Sequence, residues 1–269
     1  LRAERNVAAL TPGDIHVAAL HPGVRQTLFD IVNTLRPREI HLHDLHDHES
    51  RSHHDARDPF RRFELQRSGR DEVAAEVAAD AAFLCELDRP WMTTVVVGSN
   101  HDDHLRRWLC DADWRADPVN ARFYLQAADR LLQASEEGDA GFHLLEWACR
   151  KHGAPESVVF LRPDQSWKVH GIECGLHGDL GPNGSRGSAR SISRVGSKTN
   201  IGHSHSAQIV DGCWQAGVTA GDMDVRLDYA RGPSSWSRTM ILTYDNGKRT
   251  MVTWRGLKWR AHRPEMEAA

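Results

Sequence analysis

Five short clusters of metal-ligand residue types, each placed where an apolar run gives way to polar residues, constrain this chain more than any other feature. They are Asp14-Ile15-His16, His43-Asp44-Leu45-His46-Asp47, Gly98-Ser99-Asn100-His101-Asp102, Leu176-His177-Gly178-Asp179 and Gly202-His203-Ser204-His205. A fold that uses them together must bring five well-separated loops to one place. Open α/β sheets do so, because ligands collect beyond the carboxyl ends of their strands. Residues 7–10 form a short apolar run ending at Thr11-Pro12-Gly13, which reads as a buried strand and a turn. Val24, Leu28, Ile31, Val32 and Leu35 then recur at helical spacing between Pro22 and Pro37, and residues 39–42 resemble a second strand. Strand–helix–strand order predicts a parallel βαβ unit with the first two clusters at its strand ends.

Residues 49–70 are polar and read as a long exposed loop, whereas residues 71–87 are Ala-rich and amphipathic, a helix. Residues 93–97 are β-branched throughout, the best buried strand, and run directly into the third cluster. Helices are expected at 103–111, 119–134 and 141–152, and strands at 158–161 and 168–174. The Gly- and Ser-rich segment 181–198, with Arg186, Arg190 and Arg194, follows the fourth cluster. Residues 240–244 and 249–254 flank Asn246-Gly247, a hairpin signal. Neither an internal repeat nor a dividing linker is evident, so residues 1–269 read as a single α/β domain.

A formal charge of −3 lacks the basic excess usual in nucleic-acid binders, but divalent cations reverse the potential of an acidic site and leave that class open. Cys85, Cys110, Cys149, Cys174 and Cys213 are odd in number and have no CxxC spacing. That disfavours a disulfide framework or a structural zinc site and favours a reducing interior. With no run of eighteen apolar residues and no signal-peptide pattern, the expectation is a soluble, cytoplasmic protein with no membrane partner. The chain begins at Leu1 rather than Met, which leaves open a further segment upstream. Its oligomeric state is not legible.

Asp14, His16, Asp44, Asn100, His177, His203 and His205 offer imidazole, carboxylate and one amide oxygen in the numbers two adjacent divalent cations require. Mixed ligation of this kind suits Mn, Fe, Zn or Ni better than all-oxygen ligation, which favours Mg or Ca. One-residue spacing at a strand end, as in Asp14-x-His16 and His203-x-His205, lets two side chains flank one ion.

The order and spelling of the clusters resemble the five motifs of the calcineurin-like metallophosphoesterases, DxH, GDxxD, GNH(D/E), H and GHxH, from Asp14 to His205. The resemblance implies a two-sheet β-sandwich flanked by helices, with a dinuclear site at the strand ends, Mn being the expected metal and Fe, Zn, Ni or Mg the alternatives. It implies Asp14, His16 and His205 on one ion, Asn100, His177 and His203 on the other, and Asp44 bridging them. It also implies His101 as proton donor to the leaving oxygen, Asp102 as its partner, and Asp47 as a residue that orients ligands by hydrogen bonding. Two positions depart from the pattern. His43 stands where the family usually has Gly, and Ser99 lengthens the third motif by one residue.

The stretch from Leu176 to Ser188, with GSNHD and GHSHS, is similar to the phage-encoded branch that includes the pre-early DNA-degrading protein of T5-like phages. That similarity implies a DNA nuclease acting in host cytoplasm, with Arg186 and Arg190 on substrate phosphate. Two other functions remain: a phosphomonoesterase or protein phosphatase, and a non-catalytic DNA-binding host-takeover module.

Most of the seventeen histidines need no role. His21, His104, His143, His152 and His262 read as surface or helix residues, and His41, His46, His48, His53 and His54 as an adventitious or solvated run. His170, inside a predicted strand, rivals His177 as the fourth-motif ligand. On composition the Gly-rich segment suits a linker as well as a phosphate cradle. Trp236, Trp254 and Trp259 read mainly as core, with base stacking the lesser expectation.

Overall fold

The computed structural model describes residues 6–55, 57–162, 165–220, 234–256 and the backbone of 258–261. In chain order the elements begin β1 (Val7–Asp14), α1 (Pro22–Leu35), β2 (Glu39–His43), α2 (Pro59–Arg67), α3 (Val73–Leu87), β3 (Thr93–Val96) and α4 (Asp102–Asp111). They continue α5 (Ala121–Glu136), α6 (Leu144–Lys151), β4 (Val159–Phe160), β5 (Lys168–Val169), β6 (Ile172–Glu173) and α7 (Ala189–Ser193). The last are β7 (Thr199–Ile201), β8 (Gln208–Val210), β9 (Cys213–Gln215), β10 (Thr239–Tyr244), β11 (Arg249–Arg255) and β12 (Lys258–Ala261).

Two mixed sheets form, ordered β12-β11-β10-β1-β2-β3-β4 and β5-β6-β7-β9-β8. The strands β1, β2, β3 and β4 are parallel, so the first three clusters leave the same edge of one sheet. Period-2 alternation sorts the faces of β2. Ile40 and Leu42 join the main apolar cluster with Val24, Leu28 and Ile31 of α1 and Val77 and Leu84 of α3, whereas His41 and His43 alternate with them. The smaller sheet packs on β1 through Val169, Ile172 and Cys174 against Ala8 and Ala9, whose small side chains admit it closely. A hydrogen bond from the Asn200 amide to Thr243 Oγ1 (3.1 Å) also joins the sheets. The α7 helix packs on the smaller sheet through Ala189, Ile192, Ile201 and Cys213.

Helix starts follow the capping chemistry. His21 Nδ1 accepts from Gly23 N–H ahead of α1, with Pro22 at its first position. Asp58 does the same before Pro59 in α2. That second helix lies inside the segment expected to be an exposed loop. Only Leu65 of α2 is buried, so the apolar period is missing and the cap alone marks it. Glu49 and Ser50 of the same segment are also buried, because both backbone N–H groups donate to Glu76 on α3. The turn expected at residues 11–13 is absent, and β1 runs on to Asp14. The strand expected over 168–174 is broken by a turn at His170 and Gly171, both at positive φ. His170 therefore faces Asp245, outside the cluster site.

Gly13 lets β1 continue beside residue 217. Its φ is +91°, and a Cβ there would lie 2.1 Å from the Gly217 carbonyl oxygen. Gly13→Ala should therefore lower the unfolding free energy by roughly 1–3 kcal/mol. Chemical denaturation reads this as a lower midpoint, and an unchanged midpoint contradicts it.

Candidate metal centre

The first two clusters are bound together by backbone hydrogen bonds, Ile15 N–H to His43 O and His16 N–H to Asp44 O, both 2.8 Å. The last two are joined by Gly202 N–H to His177 O at 2.9 Å. The two halves meet at Asp14, whose Oδ1 accepts the His203 N–H at 2.8 Å. Gly202 makes this approach feasible, since a Cβ there would stand 2.2 Å from Asp14 Oδ1. His16, Asp44, His203 and His205 have φ of 46°, 43°, 74° and 57°, a left-handed conformation that costs such residues about 1–3 kcal/mol each. Four strained residues around one point require strong external restraint, which the hydrogen bonds supply.

Ligand-type atoms of Asp14, His16, Asp44 and His205 lie within 4.8 Å of one another, all buried. His205 Nε2 stands 3.2 Å from Asp14 Oδ2 and 3.3 Å from His16 Nε2, with Asp44 Oδ2 at 3.8 Å from the latter. Beside this group His177 Nε2 lies 3.1 Å from Asn100 Oδ1 and 3.3 Å from Asp44 Oδ1. The His203 ring is edge-on to His177, with centroids 5.1 Å apart, and joins neither compact group. His16, Asp47 and His101 make a second group within 4.8 Å. Among the described residues, Asp14 Oδ2, Asp44 Oδ1 and His101 Nδ1 are buried without a hydrogen-bond partner.

These orphaned oxygens fit a cation. Two buried carboxylates facing imidazole nitrogens at these separations are costly without one. In two of the expected ligands the other ring nitrogen is already engaged, as a ligating imidazole requires. His16 Nδ1–H donates to Asp47 Oδ1 (3.0 Å), and His177 Nδ1 meets His43 Nδ1 (3.3 Å). Burial, reinforced by His177, lowers His43 to about 3, leaving it a neutral ring able to accept the His177 proton. His43, at the position where the resembled motif has glycine, thus contacts His177, an expected ligand. Its signal was the alternation of β2, which turns His43 away from the helices.

The remaining expected residues divide. Asp47 reaches both His16 and, at 3.5 Å, His101 Nδ1. Asp102 Oδ2 accepts the Ser99 N–H (3.2 Å), and Ser99 Oγ accepts the Asp102 N–H (3.3 Å), closing the lengthened third turn, while Asp102 Oδ1 is buried without a hydrogen-bond partner among the described residues. Burial, then Asp44, raises Asp102 to about 7. The Gly-rich segment is folded back on the fourth cluster through Gly187 N–H to Asp179 O and Gly181 N–H to Ser185 O, both 2.7 Å, unlike a linker. A cleft of about 1180 Å³ opens over Asp44, Asn100, His101 and His205, with Arg186, Phe60 and Trp236 among its walls. Arg190 is exposed on α7 and does not line it. Trp254 lies against His21, and the side chain of Trp259 and the whole of His262 lie outside the described residues.

The solvated His-rich run is corrected in part. His53 and His54 are exposed, but His41, His46 and His48 are buried, as is His104 on α4. His46 Nδ1 is 2.6 Å from Asp80 Oδ2 and anchors the second-cluster loop to α3. The available signal was Asp80 itself, which stands on the apolar face of α3 defined by Val73, Val77, Ala81 and Leu84.

An α/β fold of two mixed sheets flanked by helices, with buried clusters of His and Asp, is consistent with a metallophosphoesterase-type metal site. The two ligand groups point to a dinuclear centre. The chain is homologous to Protein A1 of Escherichia phage T5, with 38% identity over 264 residues, 94% of this chain and 47% of that protein. It thus spans about half the length of the relative it matches. No protein-family model and no solved structure matches. No helix among the described residues is long and apolar enough to cross a membrane.

Burial lowers the pKa of His16, but Asp47, then Asp44 and Asp14, outweigh it and raise the ring to about 9. Below that pH the metal-free ring carries a proton that a bound cation must displace. Metal uptake at pH 7.5 should therefore release about one proton, and affinity should rise with pH toward 9. Calorimetry in buffers of different ionisation enthalpy measures the release, and buffer-independent heats contradict it.

Proposed function

We propose that the chain is a calcineurin-like metallophosphoesterase domain of the phage type that hydrolyses phosphodiester bonds in DNA using two divalent cations, Mn by preference. The observation that carries this reading is the buried convergence of Asp14, His16, Asp44 and His205 at the strand ends, with carboxylate oxygens left unpartnered. Asp14, His16 and His205 would hold one cation, Asn100, His177 and His203 the other, and Asp44 both. The bound pair supplies Lewis-acid polarisation of the phosphoryl oxygen and an activated water.

The chain's own residues do the rest. His101 stands at the start of α4 beside the second group, with Asp47 near its Nδ1, where an imidazole can pass a proton to the departing oxygen. Asp47 fixes the orientation of His16 and His101 together. Arg186, on the cleft wall, pairs with a substrate phosphate, and Arg190 contacts the strand further out. The breadth of the cleft favours a polymer, since a small phosphomonoester leaves most of 1180 Å³ unfilled. Similarity to a protein of Escherichia phage T5 supports a phage origin, and with it a host cytoplasm as the place of action.

With Mn present, single- and double-stranded DNA, bis(p-nitrophenyl) phosphate and p-nitrophenyl phosphate separate the readings. DNA and the diester should be turned over, and His101→Ala should lower kcat about 10²–10⁴-fold with bound metal unchanged. Turnover of the monoester alone contradicts the nuclease.

A further inference from the structure

Of the two departures from the resembled motifs, the one at His43 puts a whole imidazole beside the metal centre. His43 is the last residue of β2 and the strand neighbour of Asp14 on β1. Gly202 leaves room for it, since a Cβ at that position would stand 3.0 Å from His43 Cβ and 3.1 Å from its Cγ. The ring is fully buried and reaches His177, with the two Nδ1 atoms 3.3 Å apart and the rings tilted by 31°.

This contact has a direction. His177 Nε2 faces Asn100 Oδ1 at 3.1 Å and Asp44 Oδ1 at 3.3 Å, so Nε2 is the nitrogen turned toward the expected second cation. A ring that ligates through Nε2 carries its proton on Nδ1, and an acceptor placed there fixes both the tautomer and the ring plane. His43 Nδ1 is the acceptor that meets it. With Nδ1 accepting, the proton of His43 itself lies on Nε2, which is buried without a hydrogen-bond partner among the described residues. An apolar side chain would fill the same space and leave no polar atom unpaired, so packing alone does not account for an imidazole here. The contact is made with the nitrogen of His177 turned away from Asn100 and Asp44, which means that His43 acts through His177.

We propose that His43 is a positioning residue for the second cation: by accepting the His177 Nδ1–H it holds the ring that presents Nε2, and it thereby sets how tightly that cation is bound. The proposal rests on the two-cation reading above and deepens it, because it assigns part of the affinity for one ion, and not the other, to a side chain outside the ligand set.

Equilibrium dialysis of the full chain against Mn tests it with wild type, His43→Leu and His43→Asn. Leucine fills the buried space without an acceptor, whereas asparagine keeps an acceptor oxygen close to the place of Nδ1. The wild type should take up two equivalents. In His43→Leu the second should weaken about 10–100-fold with the first unchanged, and His43→Asn should restore the second to within a few-fold of wild type. Unchanged uptake by His43→Leu, or equal weakening in both variants, overturns the role. A second measurement does not depend on the variants folding: ¹⁵N NMR of the wild type loaded with diamagnetic Zn should show His43 protonated at Nε2 and His177 at Nδ1. Protonation of His43 at Nδ1 overturns the role as well. Uptake of a single equivalent by the wild type would sink the two-cation reading and this role with it, whereas two equivalents with an unaffected His43→Leu would sink this role alone.

Discussion

Asp14 is the point on which the architecture turns. One of its carboxylate oxygens accepts the backbone N–H of His203, which ties the end of β1 to the loop after β7 across the two sheets. The other is buried and unpartnered, 3.2 Å from His205 Nε2. A carboxylate in that position is costly until something positive meets it, and burial together with Asp44 pushes its pKa up while His205 more than compensates. The same residue therefore closes the fold and offers the site a buried carboxylate oxygen. Gly202 is the condition for both, because any side chain there would occupy the space of the carboxylate.

Strain and restraint are matched around that point. Four of the residues expected to hold metal are left-handed, and each is flanked by backbone hydrogen bonds or side-chain contacts to another cluster. Orientation comes from neighbours: the half-buried Asp47 for His16, the buried His43 for His177. The second-cluster loop is anchored in turn by His46 to Asp80 on α3. Burial raises Asp80 to about 6 against the pull of His46, and the ring, lowered by burial, is raised to about 9 by Asp80. The separation of 2.6 Å and the shared burial support a proton held between them, and the pair is worth keeping because an unpaired buried charge costs several kcal/mol.

Much of this was legible in the sequence. The parallel strands β1 to β3 follow from apolar runs and a bracketed helix, and the first three clusters leave one edge because a parallel sheet directs its loops there, whereas the last two come from the smaller sheet. What was missed had a different physical basis. The α2 helix buries a single leucine and shows no apolar period, so only its Asp58-Pro59 cap announces it. His46 and His48 looked like solvated residues because polarity alone was read, whereas their burial depends on a carboxylate 34 residues away in sequence and on the Trp108 side chain of α4. The local setting of Asp102 was not legible either: the added Ser99 donates its N–H to one Asp102 carboxylate oxygen, a contact that motif spacing alone does not show.

A site built by five loops for two cations sharing Asp44 has a magnetic signature that electron paramagnetic resonance of the chain titrated with Mn reads. The signal of isolated Mn should give way, as the second equivalent binds, to that of an exchange-coupled pair, and Asp44→Asn should abolish the coupling. Saturation at one equivalent, or two ions that remain magnetically independent, would contradict the shared site.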